Sequence, residues 1–508
     1  MPLMYCHAKL KNISQHTVIS AHLFLPDFSP MNRDSFYPAI ACFPLLLMLA
    51  GCAPMHETRQ ALSQHTLAVQ VDTALPTALK NGWPDSQWWL EYHDDQLTSL
   101  INNALQNAPY MQVAEQRIQL AEAQAKAVAT QDGPQLDFSA DMERQKMSAE
   151  GLMGPFALND PAAGTTGPWY TNGTFGLTAG WHLDIWGKNR AEVTARLGTV
   201  KARAAEREQT RQLLAGSVAR LYWEWQTQAA LNTVLQQIEK EQNTIIATDR
   251  QLYQNGITSS VEGVETDINA SKTRQQLNDV AGKMKIIEAR LNALTNHQTK
   301  SLKLKPVALP KVASQLPDEL GYSLLARRAD LQAAHWYVES SLSTIDAAKA
   351  AFYPDINLMA FLQQDALHLS DLFRHSAQQM GVTAGLTLPI FDSGRLNANL
   401  DIAKAESNLS IASYNKAVVE AVNDVARAAS QVQTLAEKNQ HQAQIERDAL
   451  RVVGLAQARF NAGLIAGSRV SEARIPALRE RANGLLLQGQ WLDASIQLTG
   501  ALGGGYKR

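Results

Sequence analysis

Very few residues in this chain have the types and spacing that do chemistry. The nearest approach to a metal set is His93-Asp94-Asp95, three donors in a row. Nothing close by in sequence completes a coordination shell, so they read as surface polarity and no metal is expected. Trp88-Trp89, just upstream, reads as core packing rather than as a ligand platform. The sequence holds no phosphate-binding P-loop, no zincin motif and no G-x-S-x-G elbow. It therefore supports neither hydrolysis nor ATP use: the chain is not expected to be an enzyme or to carry a cofactor. A formal net charge of −2 gives no electrostatic case for a nucleic-acid partner.

The one residue with definite chemistry is Cys52. The apolar run ending at "LLLMLAGCAP" (45–54) is too short for a membrane-spanning helix, which needs about 20 apolar residues, and Pro38 and Pro44 interrupt it. Read from Met31, it has the parts of a secretory signal: the charge pair Arg33/Asp34, an apolar core, then small residues. Leu49-Ala50-Gly51-Cys52 resembles the lipobox of bacterial lipoproteins, in which the Cys becomes the lipidated first residue. Met31 then becomes the expected start, and residues 1–30 have no role. Ala53 stands where an inner-membrane lipoprotein typically carries Asp, which points to the outer membrane. One lipid chain anchors only marginally, so a second chain or another membrane contact is expected. Of three cysteines, Cys6 and Cys42 lie upstream of that cleavage point, so no disulfide framework is available. No later apolar run has helix-spanning length, so any membrane crossing must be made by strands.

The elements that would do this are written twice. "FGLTAGWHLDIWGKNR" (175–190) aligns without gaps to "MGVTAGLTLPIFDSGR" (380–395), and Arg190 recurs as Arg395. "YMQVA" (110–114) pairs with "DLQAA" (330–334), Pro134-x-Leu136 with Pro354-x-Ile356, and "LYQNGI" (252–257) with "RFNAGL" (459–464). Each copy holds two segments of period two. Leu136, Phe138, Ala140 and Met142 alternate with polar residues, as do the apolar residues of 175–185 and 380–390; 355–363 alternates less cleanly. About ten residues with one apolar and one polar face fit a transmembrane barrel strand or a half-buried strand of a soluble sandwich. Long connectors at 148–170 and 365–377 favour the barrel.

Helical patterns surround the strands. Leu231, Ile238, Ile245 and Leu252 repeat every seven, and Val418, Val422, Val425, Ala429, Val432 and Ala436 alternate steps of four and three. Unbroken helices are expected over about 189–255 and 395–461. Shorter helical stretches are expected at 97–130, 261–296, 323–350 and 469–500. In each copy two short stretches sum to the long one, so they can stack end to end against it. Roughly 65 residues at 1.5 Å each reach about 100 Å, far beyond a bilayer. Four strands cannot close a barrel, and an open edge in lipid leaves backbone groups unsatisfied. Two chains would give eight strands and three would give twelve, and bacterial barrels have even counts from eight upward.

"WPDSQWWLEYHDDQLTSLINNALQNAP" (83–109), "WHLDIWGKNR", "LLARRADLQAA" (324–334), "LPIFDSGR" and "RFNAGL" are similar to the NodT-type outer-membrane efflux lipoproteins, relatives of TolC. The resemblance runs from about Trp83 to the C-terminus and includes the lipobox. It implies a mainly α, TolC-like fold with two repeats. Four strands per chain would complete a 12-stranded trimeric transmembrane barrel, continued by a long α-helical periplasmic barrel. It implies a passive outer-membrane conduit for drugs or other small toxic compounds, a homotrimer served by a periplasmic adaptor and an inner-membrane pump. A periplasmic adaptor-type coiled-coil lipoprotein is the alternative, but it would have one hairpin and no duplicated strand pairs. The expected organisation is 1–51 as leader, 52–96 as lipidated linker, 97–300 as the first repeat (strands 135–146 and 171–186), 301–322 as linker, and 323–508 as the second repeat (strands 355–365 and 379–391).

Two departures, Ala329 for Pro in "RRPDL" and Tyr110 for Asp, fall at expected helix starts. The hairpin tips 253–267 and 460–474 are the expected functional end. Gly256 and Gly463 suit helix C-termini needing positive φ; Ser259-Ser260 and Ser468 can begin the next helices. By resemblance, Glu262 and Glu265 in copy one, and Arg469 and Glu472 in copy two, line the periplasmic aperture. Gly256, Ile257, Gly463 and Leu464 would meet the adaptor. Arg469 stands where the family carries acid, and pairing it to an acidic tip residue would help hold the tunnel closed.

Overall fold

The computed structural model describes residues 63, 83–146, 169–257, 259–296, 302–311, 324 and 326–506. Cys52, the leader and most of the 52–96 linker lie outside them. In chain order the elements are α1 (Asp95–Asn107), α2 (Pro109–Ala129), β1 (Gln135–Lys146), β2 (Trp169–Leu183), α3 (Lys188–Gln254) and α4 (Ser260–Leu294). The second copy follows with α5 (Ala329–Ala350), β3 (Asp355–Ala366), β4 (Gln378–Thr387), α6 (Arg395–Asn461) and α7 (Gly467–Ala501).

The two long helices have 67 residues each, about 100 Å at 1.5 Å per residue. Each starts after a left-handed glycine, Gly187 (φ 75°) and Gly394 (φ 85°). A carboxylate holds each first turn: Asp184 accepts from the amides of Asn189 and Arg190, and Asp392 from those of Gly394 and Leu396. This pairs Gly187 with Gly394, not Arg190 with Arg395, and corrects the gapless alignment. The link from Thr387 to the second long helix is longer than that from Leu183 to the first.

Five other expectations need correction. The helix expected over 97–130 breaks in two, because Pro109 opens α2 and holds Ala108 extended (ψ 134°). The stretch from 323 breaks at Arg328, which is extended and caps α5. β2 ends at Leu183 rather than at 186, and β4 at Thr387 rather than at 391, where Pro389 offers no amide for a ladder. Ser468 does not begin α7: the cap position is Ala466, which contributes no side-chain bond.

The strands form one antiparallel sheet in the order β1-β2-β3-β4. Its registers collect most of the apolar strand residues on one face, with Met359 and Phe361 of β3 on the other. One row is Leu136, Ala179, Ala360, Val382; the next is Phe138, Leu177, Leu362, Met380. The opposite face carries Asp137, Asp141, Glu143, Asp365 and the bonded pair Gln363–Gln379 (2.8 Å). The poor alternation of β3 has a local cause. Phe361 lies on the polar face where Gly381 leaves room, since a Cβ there would sit 2.7 Å from its ring. No described helix is long and apolar enough to cross a membrane.

Helix packing uses small residues at close approaches. Ala195, Gly198, Ala202 and Ala205 of α3 are buried, and a Cβ on Gly198 would meet Ser340 of α5 at 3.0 Å. Midway along the helices, Trp88 and Trp89 are buried with Tyr222, Trp223 and Leu492, as expected of core rather than ligand-binding residues.

Candidate functional site: hairpin tips and tunnel wall

Both hairpin tips are built alike. At the end of α3 the amide of Gly256 bonds Tyr253 O (2.9 Å) and that of Ile257 bonds Leu252 O (2.9 Å). At the end of α6 the amide of Gly463 bonds Phe460 O (2.8 Å) and that of Leu464 bonds Arg459 O (2.9 Å). This pair of bonds is the Schellman closure, and it requires the left-handed residue that Gly256 and Gly463 supply (φ 72° at each). The residue after each glycine, Ile257 or Leu464, is apolar and largely exposed. Each tip therefore offers an apolar knob on a rigid turn.

The turn into the next helix differs between the copies. Ser259 caps α4: its hydroxyl accepts from the Val261 amide and donates to the Glu262 carboxylate. Glu265 lies a turn further on, exposed. In copy two the Arg469 guanidinium meets Glu472 at 2.7 Å along the same helix. Arg469 thus pairs one turn away on its own helix, a contact that by itself joins no two tips. Both side chains keep substantial exposure, so the pair is worth at most about 1 kcal/mol.

The wall around the tryptophans is held by a polar network that the sequence did not announce. Asp94 accepts from the Leu97 amide (2.8 Å), capping α1, and from Tyr222 OH (2.7 Å). His93-Asp94-Asp95 is therefore a helix start, and no metal-binding group occurs among the described residues. Burial and the bond to Asp94 push the Tyr222 phenol up, so it stays a donor. Tyr337, whose hydroxyl donates to Glu206 (2.9 Å), is pushed up to about 12 by burial and that carboxylate. Residues 302–311 have no regular structure and are strapped on by side-chain amides. Gln96 and Gln226 bond both sides of the 305–307 backbone, and Gln488 donates to Leu309 O and Pro310 O.

A second junction ties α5, α6 and α7 of the second repeat together. Arg328 is largely buried and donates to Asp330 (2.6 Å), Ala501 O (3.2 Å) and Ala421 O (3.5 Å), with Asp424 at 3.6 Å. Burial opposes its charge, and the two carboxylates more than restore it. Gly503, Gly504 and Gly505 all have positive φ beside it. A Cβ on Gly503 would run into the carbonyl of Arg327, and one on Gly505 into that of Asp85. Sequence reasoning quoted the "RRADL" motif without this role. The only signal for the glycines was their run of three.

A duplicated pair of helical hairpins with 100 Å helices and a sheet apolar on one face and, among the described residues, open at both edges fit a channel-forming protein. The comparisons agree. The family model for outer membrane efflux proteins matches residues 100–297 and 320–504, and the chain belongs to that family. It is 98% identical over 478 residues to multidrug resistance outer membrane protein MdtQ of Escherichia coli O157:H7, covering 94% of this chain and 100% of that one. It is 36% identical over 468 residues to MdtP of the same organism, covering 91% and 94%. The CmeC outer membrane channel of Campylobacter jejuni shares the fold, with TM-score 0.77 and 18% identity over 90% of this chain and 95% of that one. The protein is an outer-membrane efflux channel and not an enzyme.

Proposed function

We propose that three copies close a twelve-stranded barrel and a helical tunnel, a passive conduit from an inner-membrane pump and periplasmic adaptor to the outside. The observation that carries this is the sheet: β1 and β4 each have a neighbour on one side only, while the apolar face spans all four strands. In lipid such edges must pair, and β4 of one copy on β1 of another does so. The proposed cargo is drugs or other small toxic compounds, a reading supported by the words multidrug resistance in the names of the relatives. Energy comes from the pump. Purified protein in a planar bilayer is expected to give discrete ion-conducting steps without any nucleotide; a chain that leaves the bilayer silent would contradict the conduit.

Cys52 is the proposed lipid anchor, with 1–51 as leader, 97–300 and 323–508 as the two repeats, and 301–322 as their linker. Asn415 Nδ2 donates to Ser63 O at 3.0 Å, which ties the N-terminal segment to α6. Asn415 is 20 residues past Arg395 (415 − 395), about 30 Å along the helix. The 11 residues from Cys52 to Ser63 (63 − 52) span up to about 36–40 Å, enough to reach the membrane end. Replacing Cys52 by Ser is expected to abolish incorporation of labelled palmitate while the barrel still holds the chain in the outer membrane. Retained label would show that another residue is acylated.

Glu262, Glu265, Arg469 and Glu472 are proposed to line the periplasmic aperture, and Gly256, Ile257, Gly463 and Leu464 to meet the adaptor. The shared tip geometry and the exposed Ile257 and Leu464 support this. Arg469→Ala removes the cation facing Glu472 and is expected to raise resting single-channel conductance several-fold. Conductance equal to the unsubstituted protein's would remove Arg469 from the gate.

A further inference from the structure

Charge on the four strands is sorted by face. Their carboxylates, Asp137, Asp141, Glu143, Asp355 and Asp365, all hold register positions on the polar face. Their only Lys or Arg residues, Arg144 and Lys146, hold positions on the other, continuing the row of Leu136, Phe138 and Met142. That is the apolar face, which meets lipid in a closed barrel. β1 therefore turns its acids to the lumen and its cations to the membrane. A strand end bathed in water on both sides has no reason for such a division.

The depth of the cations follows from the register. The helices join the sheet at its periplasmic end, so the far ends of β1 and β2, with Arg144 and Lys146, are external. Trp181 marks the periplasmic level of the apolar face. It lies one step past Gly180, the partner of Gln135, and is level with position 134; its indole donates to Asp132 O at 2.8 Å. Arg144 is 10 residues further along (144 − 134). That is about 34 Å of strand, or about 24–28 Å along the membrane normal at a barrel tilt of about 35–45°. The apolar band of such barrels is about 25 Å tall, so the cations emerge among the outer headgroups. Trp169, directly opposite Lys146, is exposed at the same level. The connection from β3 to β4 also folds back over this face. Phe373 lies 5.6 Å from Phe175, and Leu369 and Leu372 lie against Gly173; Phe175 and Gly173 share the face of Arg144. Arg374 follows, exposed, and meets Asp371 at 3.1 Å. Arg144 and Lys146 are exposed and make no ion pair among the described residues.

We infer that Arg144 and Lys146 bind the phosphorylated headgroup of an anionic lipid in the outer leaflet, with Trp169 and Phe373 beside its acyl chains. The inference rests on the barrel reading above, which sets this face against lipid, and names the lipid that it selects. A phosphate accepts charge-assisted bonds from both side chains, and from Arg144 as a two-pronged pair. Long basic side chains suit this level, since their stems lie along apolar surface while their heads reach the polar layer. Ala140 and Met142 lie directly below Arg144 in the same row. Acyl chains cover them, whereas a soluble anion would gain nothing from them, so a lipid is the occupant.

Full-length protein held in neutral detergent and titrated with radiolabelled diphosphorylated lipid A tests this. Arg144→Gln with Lys146→Gln is expected to raise the half-saturating concentration about thirtyfold, the scale for two cations at an anionic membrane surface. Asp141→Asn with Glu143→Gln changes the net charge by as much on the lumen face and is expected to leave binding unchanged. Tighter binding by that variant would mean attraction by net charge alone and would overturn the site. Equal binding by the cation variant and the unsubstituted protein, both as three-fold particles, would also overturn the site and leave the barrel standing. Displacement by inorganic phosphate at constant ionic strength would overturn the lipid as occupant. Monomeric particles of the unsubstituted protein would overturn the barrel reading and this inference with it.

Discussion

Arg328→Ala is expected to cost about 3–5 kcal/mol of stability, the range for removing one partner of a buried ion pair. The guanidinium lies between Asp330 and Asp424, which also meets Arg427 at 3.0 Å, and it satisfies the carbonyls of Ala421 and Ala501. Its loss leaves Asp330 and the carbonyls of Ala421 and Ala501 without their shared donor at the junction of α5, α6 and α7. Lysine restores the charge but not the fork, because one ammonium cannot serve four acceptors that lie on three helices. Arg328→Lys is therefore expected to recover less than half of the loss. Urea unfolding followed by far-UV circular dichroism in detergent measures it; a midpoint unmoved by Arg328→Ala would show that the cluster is dispensable.

Gly503→Ala combined with Gly505→Ala is expected to prevent accumulation of folded protein. Left-handed backbone costs a residue with a Cβ about 1–2 kcal/mol at each site. Here each new Cβ also meets a backbone carbonyl, that of Arg327 or of Asp85, which cannot rotate away as a side chain would. Gly500→Ala is the internal control. It lies in α7 with nothing within 4 Å of a Cβ, so alanine there is expected to be neutral or mildly stabilising. Membrane yield and resistance to limited proteolysis distinguish them. Equal yield for the double variant and Gly500→Ala would mean that the C-terminal turn does not need its close approach to Arg327 and Asp85.

The elements were legible because their periods are clean. The long helices match their expected bounds within a residue, since no proline interrupts 189–254 or 396–461 and a positive-φ glycine follows each end at Gly256 and Gly463. β1 runs over Gln135–Lys146 as the alternation from Leu136 to Met142 implied. What failed did so where local chemistry overrides period. Pro109 sits inside an otherwise continuous helical pattern, and the left-handed Gly187 and Gly394 reset the alignment of the copies. The alternation of β3 is blurred because Phe361 occupies room that Gly381 leaves on another strand, which only the register reveals.

The turns at the hairpin tips were legible too. Gly256-Ile257 and Gly463-Leu464 were found from their repetition, and their Schellman bonds give that repetition a physical cause. The Arg328 cluster and the glycine run beside it could not be read out, because their partners lie about 90 to 420 residues away in sequence and only packing brings them together.

The central claim is that one chain is a third of a hollow conduit. Electron-microscope imaging of the detergent-extracted, lipidated protein tests it most directly, through symmetry and shape. The account predicts hollow particles of three-fold symmetry with a helical section about 100 Å long, the length 67 residues give. Solid particles, single chains, or a two-fold ring of eight strands would contradict it.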